Sequence, residues 1–243
     1  MFDSRMEELA RGLVTYSVAA KPGDKVLIET TDVPSEFTAE LIRQVYAAGA
    51  YPFVETYKGK VEAALRSGTS EEHSKMLADF AGYRMNKMDC YIGVRGNENA
   101  YDLSGVPSDK AAIYGRNYSF PVHHEMRVKN TRWVVLRWPN DSMAQLSGKP
   151  TREFEDFYFR VCCMDYAKMD RAMDALKELM DKTDKVRLVA PGTDLTFSIK
   201  GIGAVKCSGH MNIPDGEVYS APVRDSVSCQ ITYNVPSIEN GIK

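Results

Sequence analysis

The chain has 243 residues, of which 44% are hydrophobic and 26% charged, a composition typical of a globular protein with a substantial core. Its formal net charge of −2 gives no electrostatic reason to expect nucleic acid or an anionic membrane surface as a partner. No apolar run approaches the roughly 20 residues of a membrane-spanning helix, so the sequence predicts no membrane partner.

The N-terminus does not read as a secretion signal. Asp3, Glu7 and Glu8 stand where a signal peptide would have a basic region followed by an apolar one. We therefore expect a cytoplasmic location by default.

The first part of the chain alternates predicted strands and helices. Apolar residues at helical spacing in residues 37–48 predict a helix with Ser35 as its N-cap and Gly49 as its stop. Ser70 is the predicted cap of a second helix, which runs to residue 88. Strands are predicted at residues 25–29, 52–56, 90–94 and 133–138, residues 108–127 are mostly helical, and two helices follow the last of these strands.

The last of these helices spans residues 165–181. It places Met169, Met173, Leu176 and Met180 on one face, and we interpret them as core residues rather than a ligand-binding surface. An alternation of strands and helices requires crossover helices, and it predicts a largely parallel sheet covered by helices.

The hydrophobic period changes to two after residue 184. Residues 186–190 and 195–199 alternate apolar and polar side chains, and the turn Pro191-Gly192-Thr193-Asp194 joins them as a hairpin. Further strands are predicted at residues 218–219 and 230–235. We therefore predict an α/β N-terminal domain at residues 1–184 and the β-rich beginning of a second domain at residues 185–243.

The turn before residue 218 directs one carboxylate. Pro214 fixes its own φ, Gly216 permits a positive φ, and Glu217 follows at the entrance of a predicted strand. A rigid turn of this kind can present Glu217 to a metal ion or to an acid/base role. Glutamates after turns usually face solvent, and this alternative stays open.

Other candidate groups carry weaker signals. Adjacent His123 and His124 point about 100° apart on a helix, which favours a solvated or singly hydrogen-bonded pair over a shared metal site. His210 is close in sequence to Glu217, and we expect an orienting or structural role for it. Asp194 either closes its own turn through backbone hydrogen bonds or adds a second carboxylate to the site. His73 is expected to face water, and Arg224 and Asp225 to form a local ion pair or turn.

The five cysteines are an odd number without a CxxC spacing, so they predict neither a disulfide framework nor a zinc knuckle. Adjacent Cys162 and Cys163 lie in an apolar helical pattern. We interpret them as buried free thiols, and a reactive nucleophile is the alternative. The sequence also lacks phosphate-binding loops, a dinucleotide-binding fingerprint and a GxSxG elbow.

Six segments resemble the aminopeptidase T / aminopeptidase S family of metallo-aminopeptidases, and the resemblance spans essentially the whole chain. They are residues 22–28 (PGDKVLI), 47–50 (AAGA), 137–144 (RWPNDSMA), 191–197 (PGTDLTF), 212–218 (NIPDGEV) and 221–227 (APVRDSV). In that family the Glu of the Asn-x-Pro-x-x-Glu-Val segment binds a two-metal site, and it corresponds to Glu217. Cys229 departs from the glycine that is common there.

The resemblance implies a hydrolase that removes N-terminal residues from peptides with two divalent ions, Zn, Co, Mn or Mg, and that forms a homodimer. Its other ligands, a second Glu, two His and an Asp, with a catalytic Tyr, are expected beyond the point that aligns with Lys243. The sequence is thus expected to be an inactive N-terminal portion, with no catalytic residue assigned within it. The alternative is a non-catalytic α/β binding or interaction module with Glu217 on its surface.

Overall fold

The computed structural model describes residues 3–230 and Thr232. The chain forms two compact units, which we call the first unit (Met1–Tyr166 with Gly209–Asp215) and the second unit (Ala167–Ser208 with Gly216–Lys243). The sequence analysis placed a domain boundary near residue 184, where the pattern changes from α/β to β-rich. That boundary is a different division from these two units, and it stays a prediction.

The first unit is a parallel sheet with helical connections, as predicted. Its strands are β1 (Lys25–Thr31), β2 (Tyr51–Tyr57), β3 (Cys90–Arg95), β4 (Arg132–Arg137) and β8 (Asn212–Ile213). Its helices are α1 (Ser4–Gly12), α2 (Ser35–Ala47), α3 (Gly59–Ser67), α4 (Glu71–Met85), α5 (Ser108–Tyr114), α6 (Val128–Asn130), α7 (Asp141–Leu146) and α8 (Thr151–Cys162). Two π-helical segments, Leu13–Ser17 and Gly115–Arg127, and a 3-10 helix, Asp102–Gly105, complete it.

The strand order is β2-β1-β3-β4-β8, and each pair of neighbours is parallel. In register, Leu27 of β1 lies beside Tyr91 of β3, which lies beside Trp133 of β4. Because side chains alternate along a strand, this register places every odd-numbered residue of β1, β3 and β4 on one face. The sheet therefore has two chemically distinct faces.

The packed face carries the even-numbered residues, which are mostly apolar and buried; the exceptions are the buried Thr30 and the partly buried Arg132 at the start of β4. Cys90 approaches the carbonyl of Val18, next to the first π-helical segment, with its Sγ at 3.7 Å. Helix α2 packs on β1 and β2, and its Phe37 contacts Trp138 with ring centroids 4.6 Å apart. The apolar residues of the packed face are Val26, Ile28, Cys90, Ile92, Val94, Val134 and Leu136.

The cavity face carries the odd-numbered residues and is covered by α4 and the π-helical segment Gly115–Arg127. Leu27 and Tyr91 pack there with Met85 and Val122 in one apolar cluster. Toward the carboxyl ends of the strands this face becomes polar. Those polar positions are Glu29 and Thr31 of β1, Arg95 of β3 and Arg137 of β4.

Local capping explains where the helices begin. The side chain of Ser70 accepts a hydrogen bond from the backbone N–H of His73 at 3.1 Å, which confirms the predicted cap of α4. The predicted cap of α2 is wrong: Ser35 is its first residue, and Pro34 occupies the cap position without a side-chain hydrogen bond. Gly49 has φ +73 just past α2, as the predicted stop requires.

The second unit is smaller and β-rich. Strands β5 (Lys185–Ala190) and β6 (Thr193–Ser198) form the predicted antiparallel hairpin, β10 (Ser228–Gln230) pairs with β6, and β7 (Val205–Cys207) pairs with β9 (Glu217–Tyr219). The rest of the strand predicted at residues 230–235 lies outside the described residues, apart from Thr232.

The helix predicted at residues 165–181 is wrong as a single element. A turn at Met173 separates α9 (Tyr166–Ala172) from α10 (Asp174–Lys182), so four α-helices follow β4 within residues 138–230, where two were expected. Leu176 is 48% exposed and α10 has no buried residue, so the predicted core face is wrong at Leu176. The helical period marks an apolar stripe correctly, but it cannot tell how much protein covers that stripe.

The cysteines are free thiols where the structure describes them. Cys90 and Cys162 are buried, while Cys163 and Cys207 are partly exposed. Burial raises the pKa of the Cys162 thiol to about 12 and that of Cys163 to about 11, which disfavours the nucleophilic thiolate. Within residues 3–230, no helix is long and apolar enough to cross a bilayer.

Candidate functional site

The turn that leads to Glu217 has the rigidity expected from its sequence. The side chain of Asp215 accepts a hydrogen bond from the backbone N–H of Gly209 at 2.8 Å, and its own N–H donates to the hydroxyl of Tyr166 at 3.3 Å. Gly216 has φ +141, a conformation that disfavours any residue with a Cβ. The backbone that precedes Glu217 is therefore held in one direction.

Glu217 is the first residue of β9 and lies beside Cys207 in the antiparallel pair with β7. Its side chain is exposed, and no described residue forms an ion pair with it. The residues that the structure describes contain no group of three or more His, Cys, Asp or Glu suited to a metal ion. One carboxylate alone cannot hold a metal pair, so these residues do not fit a dinuclear centre by themselves, and the role of Glu217 stays a prediction.

The other carboxylate candidate has a different partner. Asp194 accepts two hydrogen bonds from the guanidinium of Arg187, at 2.8 and 2.7 Å, on the exposed surface of the hairpin. The interpretation that Asp194 closes its own turn is wrong, because Arg187 is its diagonal neighbour on the same face of β5 and β6. Arg224 and Asp225 lie in a 3-10 helix, Arg224–Ser226, in agreement with a local turn.

His210 has the structural role that we expected. Its ring stacks on Tyr16 with centroids 4.7 Å apart, and its Nδ1 lies 3.4 Å from the carbonyl oxygen of Ser17. His73 is partly buried in the first turn of α4 rather than facing water fully.

The interpretation of the His123 and His124 pair is wrong for His123. His124 is exposed, but Nδ1 of His123 is buried without a hydrogen-bond partner among the described residues. Its ring lies edge-on to Tyr91 and Tyr118, with centroids 6.2 and 6.0 Å away. The spacing of the two histidines argues against a shared metal ion. It cannot show that the fold buries the His123 ring beside a cavity, which is described next.

This cavity, of about 570 Å³, lies over the polar end of the cavity face. The strands contribute Glu29, Tyr91, Gly93 and Trp133, and the π-helical segment Gly115–Arg127 contributes His123 and Arg127. The carboxyl ends of the strands in a parallel α/β sheet are the usual place for a binding crevice. All of these residues belong to the first unit, and Glu217 does not.

Glu29 lies inside the sheet because Tyr91 stabilises it there. The Tyr91 hydroxyl donates to Oε2 of Glu29 at 2.6 Å, and its ring passes over Gly93. A Cβ at Gly93 would lie 2.8 Å from Cε1 of Tyr91, so only glycine at this position leaves room for the ring. The register supplies the contact, since Gly93 lies directly beside Glu29.

Burial also shifts the pKa values of two residues that line the cavity, Glu29 and His123. It raises the pKa of the Glu29 carboxyl, although the Tyr91 hydrogen bond and the charges of Arg84 and Arg127 oppose the shift. Burial, with the charge of Arg127 second, lowers the pKa of His123 to about 4, so its ring is neutral at physiological pH.

Sequence reasoning missed Glu29, Tyr91 and Arg127. One signal was present: Glu29 interrupts the apolar run of a strand that a covered parallel sheet should bury. A charged residue at such a position is expected to be paired or functional. Arg127 gave no comparable signal, because it ends a segment whose helical pattern is polar on several sides.

Comparisons with known proteins concern the family and the fold of this chain. A family model described as thermophilic metalloprotease (M29) matches residues 2–243. A search of curated proteins found no significant match. Wild-type AmpT from Thermus thermophilus superposes with a TM-score of 0.73 at 18% identity, over 94% of this chain and 64% of AmpT. The 2,5-dihydroxypyridine dioxygenase from Pseudomonas putida KT2440 superposes with a TM-score of 0.50 at 8% identity, over 93% of this chain and 58% of the dioxygenase.

The chain spans less than two thirds of the length of either structure. At these identities, both likenesses concern the fold. The AmpT match and the five-stranded parallel sheet agree with the α/β fold class that the sequence predicts.

Proposed function

The chain belongs to the thermophilic metalloprotease (M29) family. We propose that it forms the N-terminal portion of a metal-dependent aminopeptidase, which removes N-terminal residues from peptides. The family match over residues 2–243 is the observation that carries this proposal. The proposed cofactors are two divalent ions, of which Zn, Co, Mn and Mg suit oxygen and imidazole ligands. Such ions can activate water and polarise a carbonyl group.

In this proposal Glu217 supplies one carboxylate ligand. Its exposure, its lack of an ion-pair partner among the described residues and its rigid preceding turn support the role. A carboxylate without a protein partner can bind a cation without first breaking an ion pair. The remaining ligands of the proposed centre would come from outside the described residues, since these offer no further metal cluster.

The first test uses the 243-residue chain alone. We expect no metal-dependent release of amino acids from aminoacyl-4-nitroanilides or short peptides, with Zn, Co, Mn or Mg added in turn, because a single carboxylate cannot assemble a metal pair. Product formation is followed by absorbance and by mass spectrometry. Robust activity of this chain that disappears in Glu217→Ala would show that the other ligands have been misplaced.

The second test uses an active protein that contains this chain. Glu217→Gln should lower metal-dependent aminopeptidase activity by roughly 10²–10⁴-fold, since a bound metal contributes several kcal/mol of transition-state stabilisation. Glu178→Gln is the matched control: Glu178 is an exposed glutamate of the same unit whose ion pair with Lys182, at 3.6 Å, contributes little. Equal activity of both variants would favour the non-catalytic binding module instead.

Homodimerisation and a cytoplasmic location are also proposed. The resemblance implies the dimer, and the location is the default expectation given in the sequence analysis. Light scattering at several protein concentrations tests the dimer, and cell fractionation tests the location. A strictly monomeric active enzyme would contradict the first of these two proposals.

A further inference from the structure

The cavity of the first unit contains an arginine that the protein leaves without an acceptor. Arg127 is only 7% exposed, yet its Nε and Nη1 are buried without a hydrogen-bond partner among the described residues. Its guanidinium lies over two rings that are neighbours in register, 5.0 Å from the Tyr91 centroid and 4.4 Å from the Trp133 centroid. The rings orient this cation, but they offer it no anion.

A buried charge without a hydrogen-bonded partner is costly, and it is rare outside functional sites. Glu29, an acid that lines the same cavity, accepts its hydrogen bond from Tyr91 instead. Nδ1 of His123 is also buried without a partner among the described residues. Arg127 therefore has guanidinium donors for which these residues supply no acceptor.

The charge balance of the cavity points the same way. Four arginines and two glutamates line it, and Glu62 is already paired with Arg66 at 3.0 Å. Apart from that pair, Arg95, Arg127 and Arg137 stand against Glu29 alone. An anion is the class of ligand that this excess favours.

The walls and the volume define the rest of the ligand. Tyr118 and Trp133 contribute aromatic surface, and the volume of about 570 Å³ falls within the range of small-molecule pockets. The guanidinium of Arg127 covers part of Trp133 and the ring of Tyr114 part of Tyr118, and an inorganic anion would not cover the rest of their apolar surface. An organic body that carries the anionic group would cover it.

We propose that this cavity binds a small organic carboxylate, with the carboxylate on Arg127 and an apolar body against Tyr118 and Trp133. Arginine suits this task because its guanidinium is a planar donor group that matches carboxylate geometry. The residues that line this site do not include Glu217, and its test measures binding rather than peptide hydrolysis, so it stands or falls independently of the proposed function.

The two tryptophans of the chain provide an internal control for the test. Trp133 lines the cavity, whereas Trp138 packs on Phe37 and does not line it. In ¹⁵N-labelled protein, titration with 3-phenylpropanoate should shift the assigned indole N–H signal of Trp133 and leave that of Trp138 in place. Equal shifts of both signals, or absence of a Trp133 shift with 3-phenylpropanoate and with L-phenylalanine alike, would overturn the proposal.

Other probes define the ligand class. L-phenylalanine carries the same carboxylate and ring with an added amine. Binding of either acid supports the site. The acid that binds more tightly indicates whether the natural ligand carries an amine. Phenethylamine has the ring without the carboxylate, and we expect it not to bind. Binding of phenethylamine, or of inorganic phosphate, as tightly as 3-phenylpropanoate would overturn the assignment of an organic carboxylate.

The variant Arg127→Met keeps an unbranched apolar stem but removes the guanidinium, and it should weaken 3-phenylpropanoate binding at least about tenfold, as expected for a lost hydrogen bond to a charged group. Arg152→Met removes an exposed arginine of the same unit outside the cavity and should leave binding unchanged. Unchanged affinity in Arg127→Met would refute the role of Arg127. If that variant fails to fold, the Trp133 and Trp138 signals of the unmodified chain decide.

Discussion

The two faces of the parallel sheet follow opposite rules, although they share the same strands. The packed face buries Ile28, Ile92 and Val134 completely, and its charged residue, Arg132, lies at the first position of β4 and is paired with Asp24. The cavity face carries the half-buried Glu29, the segment that covers this face buries Arg127, and both residues line one cavity. Removing apolar surface from water stabilises the fold at about 25 cal/mol per Å², whereas burying charge opposes folding.

The difference indicates a division of roles between the faces. Folding alone would favour apolar residues on both faces of a covered parallel sheet. A face that departs from this rule at one end, with a glycine that admits a tyrosine ring and an arginine without an acceptor, is better explained by ligand binding than by stability. Three measurements test whether the two faces differ in this way.

The largest expected effect is on the packed face. Ile92→Ala should lower the free energy of unfolding by about 2–5 kcal/mol, because it removes a fully buried side chain from a close-packed layer. Urea unfolding followed by circular dichroism measures the change. The control Val61→Ala, at a valine that is mostly exposed, should change it by less than about 0.5 kcal/mol. A cost below about 1 kcal/mol for Ile92→Ala would contradict the close packing of this face.

The second measurement concerns acid sensitivity of the cavity face. The pKa of His123 is about 4 in the folded protein, against an ordinary value of 6.5, so the folded state favours the neutral ring. The neutral His123 ring therefore makes its full contribution to the free energy of unfolding above pH 6.5, and this contribution is lost as the pH falls toward about 4. The loss amounts to at most about 3 kcal/mol. Unfolding free energies of the unmodified chain and His123→Gln should diverge with pH across this window.

The exposed neighbour provides the control for that measurement. His124→Gln changes the same residue type one position away and should leave the pH dependence of unfolding unaltered. Parallel pH profiles for the unmodified chain and His123→Gln would mean that the cavity hydrates the ring, and the contrast between the faces would then be smaller than we infer.

The smallest expected effect comes from a matched pair on one strand. Val134 is fully buried on the packed face, and Val135 is partly buried on the cavity face. Val134→Ala should cost about 2 kcal/mol of unfolding free energy, and Val135→Ala about 1 kcal/mol less, because the cavity already leaves part of that side chain without contacts. Chemical denaturation of both variants gives the difference. Equal costs would show that the two faces are packed alike.

Several elements could be predicted from residues alone because their causes are local. The apolar runs at residues 25–29 and 90–94, with capped helices around them, indicated a parallel sheet, and the turn at Pro191-Gly192 indicated the hairpin. Gly49, Ser70 and Gly216 have the conformations or contacts that their chemistry requires. The cap at Ser35 was wrong because proline took the position before it.

The family, the α/β fold class and the stiff turn before Glu217 were thus determined by the sequence itself. The cavity was decided by tertiary structure, because Glu29, Gly93 and Val135 come together only through the register of three strands that are distant in the chain. The state of Arg127 was decided in the same way. Its charge is fixed by composition, but the lack of an acceptor depends on which side chains the fold brings within hydrogen-bond distance, and no local pattern encodes that distance.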